Sequence, residues 1–185
     1  DKHQLDVVGF QELQLDQRTR FAELTTDRYG LFPAEPVALT RRNVQNSIAW
    51  NLAEWHFLEG HFVKIPYFDG IEWDMPVVLL QNLQTGQLAY FANFHNPATN
   101  RKHRNSTPHR REAERRQVAL ANALYATGLP VFFTGDMNER ERYFCTMAAG
   151  APMKAANGGS YRTSTGCVPP PSPMPVNWML AGKQR

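Results

Sequence analysis

LPVFFTGDMNERER, residues 129–142, is the stretch on which the reading of the fold turns. A short apolar run at 131–133 follows Pro130 and closes on Thr134 and Gly135, the pattern of a buried β-strand ending in a tight turn. Asp136 and Asn138 stand at that turn. A carboxylate and a carboxamide at the C-terminal end of a buried strand lie where α/β proteins assemble their chemistry. The same pair also has a plainer use, because Asp and Asn bond to nearby backbone and an Asx-turn capping the strand accounts for both.

Upstream, Ser106 or Thr107 caps a helix, Pro108 suits its first turn and Gly128 its end. Ala113, Gln117, Leu120, Ala121 and Leu124 make one face of it, with Arg111 and Arg115 close to the edge. Before the helix, residues 75–95 read as a hairpin, VVLLQNL and LAYFANF around QTGQ, with Gly86 reversing the chain. Its second strand ends on Asn93 and His95, which leave the same face because they are i and i+2. Strand, helix, strand in this order builds α/β layers.

Toward the N-terminus, 5–13 (LDVVGFQEL) reads as a strand with Glu12 at its end, and 16–24 as a surface helix that stops before Thr25 and Thr26. A proline-broken connection follows at 31–36, then basic Arg41 and Arg42. Residues 46–68 alternate aromatic and β-branched with polar side chains, predicting two antiparallel strands with Gly60 as a turn or bulge; helix competes over 48–58. After Glu141 the pattern predicts a short helix at 143–149, a proline-rich loop over 158–175 and a last apolar strand, 176–180, carrying Asn177 and Trp178. With 185 residues, 42% of them hydrophobic, and no internal repeat or linker, residues 1–185 are expected to form one domain.

No apolar run reaches the roughly 18 residues needed to cross a bilayer, and the opening DKHQLDVVGF lacks a signal-peptide pattern, so a soluble chain is expected. Net charge is +3, yet residues 101–116 hold seven of the twenty Lys and Arg against two acids. That local excess is either an anion-facing patch, with Arg111 and Arg115 as phosphate contacts, or a solvated loop and helix face. Cys145 and Cys167 lack zinc-finger spacing and flank a Gly-, Ser- and Pro-rich segment. A disulfide closing that segment contributes about 3 kcal/mol in the chain-entropy model and implies a compartment outside the reducing cytosol; two unpaired core thiols are the alternative.

Glu12, His95, Asp136 and Asn138 together supply what metal-assisted phosphoester hydrolysis needs: a carboxylate for a hard divalent cation, an imidazole, a second carboxylate for water and a neutral amide. Here the sequence resembles the endonuclease/exonuclease/phosphatase superfamily. DVVGFQEL is similar to its first acidic motif, FANFHNPA to its histidine motif, TGDMNE to its GDxN motif and PVNWML to its (I/L)DW(I/L) strand, in family order from Asp6 to Leu180. WNLAEW, KIPYF and GDMNERERYFC with a later Cys167 further resemble secreted actinobacterial members.

The resemblance implies a four-layered α/β sandwich: two packed, mostly antiparallel sheets flanked by helices. It implies that Glu12 binds Mg²⁺ (or Mn²⁺ or Ca²⁺), that His95 protonates the leaving oxygen or stabilises the phosphate, and that Asp136 orients or deprotonates the attacking water. Asn138 would hold that aspartate and a phosphate oxygen, and Asn46 of NSIAW would contact the phosphate. It also places an asparagine-bearing first strand before Asp1 and a Ser-Asp-His motif after Arg185, so a fragment incomplete at both ends is expected. Asn177 stands where the family carries an aspartate partnering the histidine of that last motif.

The function expected is a secreted, metal-dependent phosphodiesterase acting on nucleic acid, because the basic stretch offers salt-sensitive phosphate contacts. A phosphomonoesterase or sphingomyelinase-like activity shares the same core residues. A non-catalytic member that binds a phosphate-bearing or protein partner is the reading from another class.

Overall fold

Two near-continuous apolar runs, VVLL at 77–80 and LAYFANF at 88–94, build the central hairpin of the protein. In the computed structural model, which describes residues 5–34, 36–139, 141–156 and 159–168, this hairpin is β5 (Glu72–Asn82) and β6 (Leu88–His95). Its turn carries Gly86 at a φ of 72°, a left-handed conformation that costs glycine least. β4 (Trp55–Pro66) pairs antiparallel on one side and β7 (Val131–Asp136) parallel on the other, giving the order β4-β5-β6-β7. A smaller sheet, β1-β3-β2, joins β1 (Val7–Gly9), β3 (Ile48–Asn51) and β2 (Tyr29–Phe32), all antiparallel.

The period-two pattern of β5 and β6 divides their side chains between two cores. Val78, Leu80 and Phe91 meet Phe32, Ile48 and Trp50 of the small sheet, whereas Met75, Val77, Ala92 and Phe94 meet Ala113 and Leu124 of α3 (Thr107–Tyr125). On the far side of the small sheet, α1 (Leu15–Leu24) packs Phe21 edge-on against Phe10 and Tyr29. The molecule is therefore two sheets between helices, as expected. α2 (Arg41–Val44) precedes β3, and α4 (Glu141–Gly150) follows β7. α4 is tied by the Cys145–Cys167 disulfide to the hairpin of β8 (Ser160–Arg162) and β9 (Gly166–Val168).

Several expectations are corrected. The strand at 131–133 runs on to Asp136 and is not buried: among the described residues it pairs with β6 alone, and Phe132 is 49% exposed. The two strands in 46–68 do not pair with each other, because β1 and β2 occupy both edges of β3 and β4 takes β5 instead. The irregularity in β4 lies between Phe57 and Glu59, and Gly60 sits within the strand, where a Cβ would meet the Phe32 ring. The strand around Glu12 is shorter than expected and ends at Gly9. β2 occupies part of the connection at 31–36, and β8 and β9 part of the loop at 158–175. The strand at 176–180, with Asn177, lies outside the described residues.

Candidate active site

Parallel pairing of β6 with β7 sets His95 opposite Asp136, so the two strands end side by side. The Asn96 N–H extends the ladder by donating to the Asp136 carbonyl at 2.9 Å. Gly135 makes this approach possible: at a φ of 143°, a Cβ there would collide with the Phe94 backbone. Beyond it, the Asp136 carboxylate accepts the Asn138 N–H at 2.9 Å, so the Asx-turn is present and shares its carboxylate with the site. Asn138 takes a φ of 48°, a left-handed state that asparagine tolerates, and its Nδ2 donates to the Asn96 carbonyl at 2.8 Å.

His95 is only 4% exposed. The Tyr67 hydroxyl lies 3.2 Å from Nδ1 and 3.3 Å from Nε2, and the phenol ring stands edge-on to the imidazole. Burial holds the imidazole pKa below its ordinary 6.5, against the opposing pull of Asp136 and then Glu12. Burial, reinforced by the same two carboxylates, pushes the Tyr67 phenol far up, so it stays a neutral hydroxyl.

Glu12 lies in the turn after β1 at a φ of 60°, with its side chain 76% exposed and Oε1 3.9 Å from His95 Nε2. The turn is fastened to the second sheet by Asn93, which donates to the Phe10 carbonyl at 2.7 Å and the Ser47 carbonyl at 3.2 Å and accepts from Gln11 Nε2. Gly9 permits this closeness, since a Cβ would lie 2.5 Å from both Asn93 Oδ1 and Thr134 Oγ1. Thus Glu12, His95, Asp136 and Asn138 gather at one end of the paired sheets.

Asn46 is completely buried beside this turn, with neither its Oδ1 nor its Nδ2 hydrogen-bonded among the described residues. Such an orphaned amide costs about 1–3 kcal/mol. The helix arginines lie on α3. Arg115 forks onto Glu112 at 2.7 Å through both Nε and Nη2, while Arg111 occupies the exposed side of α3. Arg115 and Arg116 hold the Glu112 carboxyl down at about 2. Lys102, His103 and Arg104, with Asp69 and His109, line a cavity of about 410 Å³. His103 stacks on Phe68, and Phe68 contacts Tyr67.

Among the described residues, no three His, Cys, Asp or Glu side chains cluster closely enough to cage an ion. A lone exposed Glu12 near Asp136 suits Mg²⁺, which is held by one or two carboxylates with water and substrate phosphate, better than Ca²⁺, which takes roughly six to eight oxygens.

Sequence reasoning missed Tyr67 as a partner of His95, since an aromatic after a strand carries no signal of what it touches. It assigned Gln117 to a helix face without its partner Asn96, and overlooked Arg110 and Glu114, both buried on α3.

A search of curated proteins returns no match. Among solved structures, the chain is similar to sphingomyelinase C from Streptomyces griseocarneus (18% identity, TM-score 0.63, 84% of this chain on 60% of that one). It is also similar to humanized D. rerio TDP2 (20%, 0.56, 82% on 55%) and to the human Nocturnin catalytic domain with bound sulfate (15%, 0.55, 76% on 56%). The chain thus spans between 55% and 60% of these three chains, and at such identities the likeness is one of fold. The model of the Endonuclease/Exonuclease/phosphatase family matches residues 1–184. The chain belongs to the endonuclease/exonuclease/phosphatase family.

Proposed function

We propose that this protein is a divalent-metal-dependent phosphodiesterase acting on nucleic acid outside the cell. The observation that carries the reading is the register of His95 with Asp136, which holds an imidazole and a carboxylate at adjacent strand ends with Glu12 3.9 Å from the imidazole. Glu12 would hold Mg²⁺, which supplies charge neutralisation at phosphoryl oxygens when bound. Exposed Asp136 orients the attacking water and takes its proton. Asn138 steadies that carboxylate through its backbone N–H, and its side-chain amide has a second N–H for a phosphate oxygen. Since burial lowers the His95 pKa, the imidazole is neutral at pH 7 and hydrogen-bonds the phosphate through an N–H, with Tyr67 fixing the ring. Asn46, whose amide has no hydrogen-bond partner among the described residues, is completely buried, so its contact with a phosphate would require the turn beside it to open.

Nucleic acid is favoured by the exposed Lys102 and Arg104 of the basic cavity, which suit flanking phosphates. Arg111 and Arg115 contribute to the surrounding field. An extracellular location is favoured by the disulfide. One feature favours a lipid phosphodiester instead: an apolar cavity of about 360 Å³ next to the site, lined by Phe133, Met137, Tyr143, Phe144 and Met147.

The test compares the protein with Asp136→Ala on plasmid DNA, RNA, bis-p-nitrophenyl phosphate and sphingomyelin, with and without Mg²⁺. Mg²⁺-dependent cleavage of nucleic acid and of the small diester, lowered about 100-fold or more by Asp136→Ala, is expected. Cleavage of sphingomyelin alone selects the lipid reading. Equal activity in the variant rejects the catalytic assignment, and binding of nucleic acid without turnover selects a non-catalytic role.

A further inference from the structure

The polar groups buried beneath α3 have no part in the chemistry described above, yet they meet it at Asn96. Gln117 Nε2 donates to Asn96 Oδ1 at 2.8 Å, and Asn96 Nδ2 lies 3.5 Å from Gln117 Oε1. Both residues are completely buried. The Asn96 backbone is held as firmly: its N–H donates to the Asp136 carbonyl, and its own carbonyl accepts Asn138 Nδ2. Asn96 therefore joins the end of β6, the end of β7 and the turn beyond it to the helix. Arg110, one helical turn before Glu114, fastens the next stretch by donating to the Pro97 carbonyl at 2.9 Å and Thr99 Oγ1 at 3.0 Å.

We propose that Gln117 is a positioning residue, which acts through Asn96 to fix the spacing of His95, Asp136 and Asn138. Its catalytic consequence rests on the phosphodiesterase reading; its geometric consequence does not. The two completely buried primary amides bond to each other, and removal of one leaves the other desolvated and without that partner. Asn96 relieves that only by turning toward solvent, which shifts the backbone on which Asp136 and Asn138 depend. Angle and distance at a reacting centre tolerate little of this, because a displacement near 1 Å costs about 100-fold in rate.

Gln117→Met keeps the side-chain length and removes the amide. Arg116→Met is the control: it lies on the same helix and loses contacts to Lys64, Glu72 and Glu112, none of which touches Asn96. Kinetics on bis-p-nitrophenyl phosphate are read at a temperature where circular dichroism reports all three proteins folded. Gln117→Met is expected to lower kcat about tenfold or more with KM within about twofold, while Arg116→Met leaves kcat unchanged. In parallel, the Asn138 side-chain amide resonance of the metal-free protein is expected to shift and exchange faster in Gln117→Met alone. Equal falls in kcat for both variants, or an Asn138 resonance unmoved by Gln117→Met, overturn the proposal. A wild type that does not hydrolyse the diester while that resonance moves rejects the phosphodiesterase reading and leaves the positioning role standing.

Discussion

Burial sets the proton affinity of His95, and the sign of that effect is testable. The imidazole pKa is lowered by desolvation more than Asp136 and Glu12 raise it, so the folded chain binds this proton more weakly than the unfolded chain. Its contribution to stability is complete above the unfolded value of about 6.5 and is lost as pH falls through that value toward the folded one. Urea midpoints of the metal-free protein from pH 8 to 5 should therefore fall more steeply for wild type than for His95→Gln; parallel profiles would contradict the assignment. Tyr67 presents a narrower case. Its hydroxyl reaches the His95 ring while its own ring packs on Phe68 and Trp73. Tyr67→Phe retains the packing and loses only the hydroxyl, so a fall in kcat of about fivefold, matching roughly 1 kcal/mol for one hydrogen bond, is expected with little change in Tm. Steady-state kinetics beside a thermal melt checks this.

At the scale of elements, the disulfide is the clearest lever. Cys145 in α4 and Cys167 in β9 are 22 residues apart with Cα atoms 5.4 Å from each other. Opening a loop of that length costs about 3 kcal/mol, so Cys145→Ser with Cys167→Ser should lower the urea-extrapolated stability by about that amount. Reductant should then leave the variant's midpoint unchanged and lower the wild type's. The elements themselves were unequally legible. β5 and β6 follow from two dense apolar runs around a reversing glycine, and α3 from the helical spacing of its apolar face, all local signals, although the Ser106 side chain makes no capping bond and donates to the His103 carbonyl instead. The separation of β3 from β4 into different sheets is not local. Two aromatic-rich strands joined by residues 52–54 look like a hairpin until β1 and β2, distant in sequence, claim both edges of β3. The site divides in the same way. Glu12, His95, Asp136 and Asn138 end recognisable motifs, whereas Tyr67, Asn96 and Gln117 matter through contacts between elements that no single stretch encodes. Buried Arg110 and Glu114 had the composition of a wet helix face, and only tertiary partners distinguish the two.

Over the whole molecule, the charge of residues 101–116 is smaller in effect than in count. Arg110 is buried and donates to the Pro97 carbonyl and to the Thr99 and Thr107 hydroxyls, and Arg115 and Arg116 are paired with Glu112 and Glu72. Exposed Arg101, Lys102, Arg104 and Arg111 carry what remains, and Lys102 and Arg104 border the cavity reached from His95 through Tyr67, Phe68 and His103. If these two cations meet phosphates, each contact releases counterions, and affinity for single-stranded nucleic acid falls with salt by a log–log slope of about 0.7 per contact. Asp136→Ala supplies a background in which binding is measured without cleavage. On it, Lys102→Ala with Arg104→Ala should weaken oligonucleotide binding and flatten the salt slope by about 1.4, while Arg115→Ala, whose cation is already paired with Glu112, should change the slope little. In the active protein, the Lys102 and Arg104 substitutions should raise KM for the oligonucleotide and leave bis-p-nitrophenyl phosphate hydrolysis unaltered, because that diester has no flanking phosphate. An unchanged salt slope would remove the basic cavity from the substrate path, and a loss shared equally by both substrates would assign these residues to the fold of the 101–105 loop.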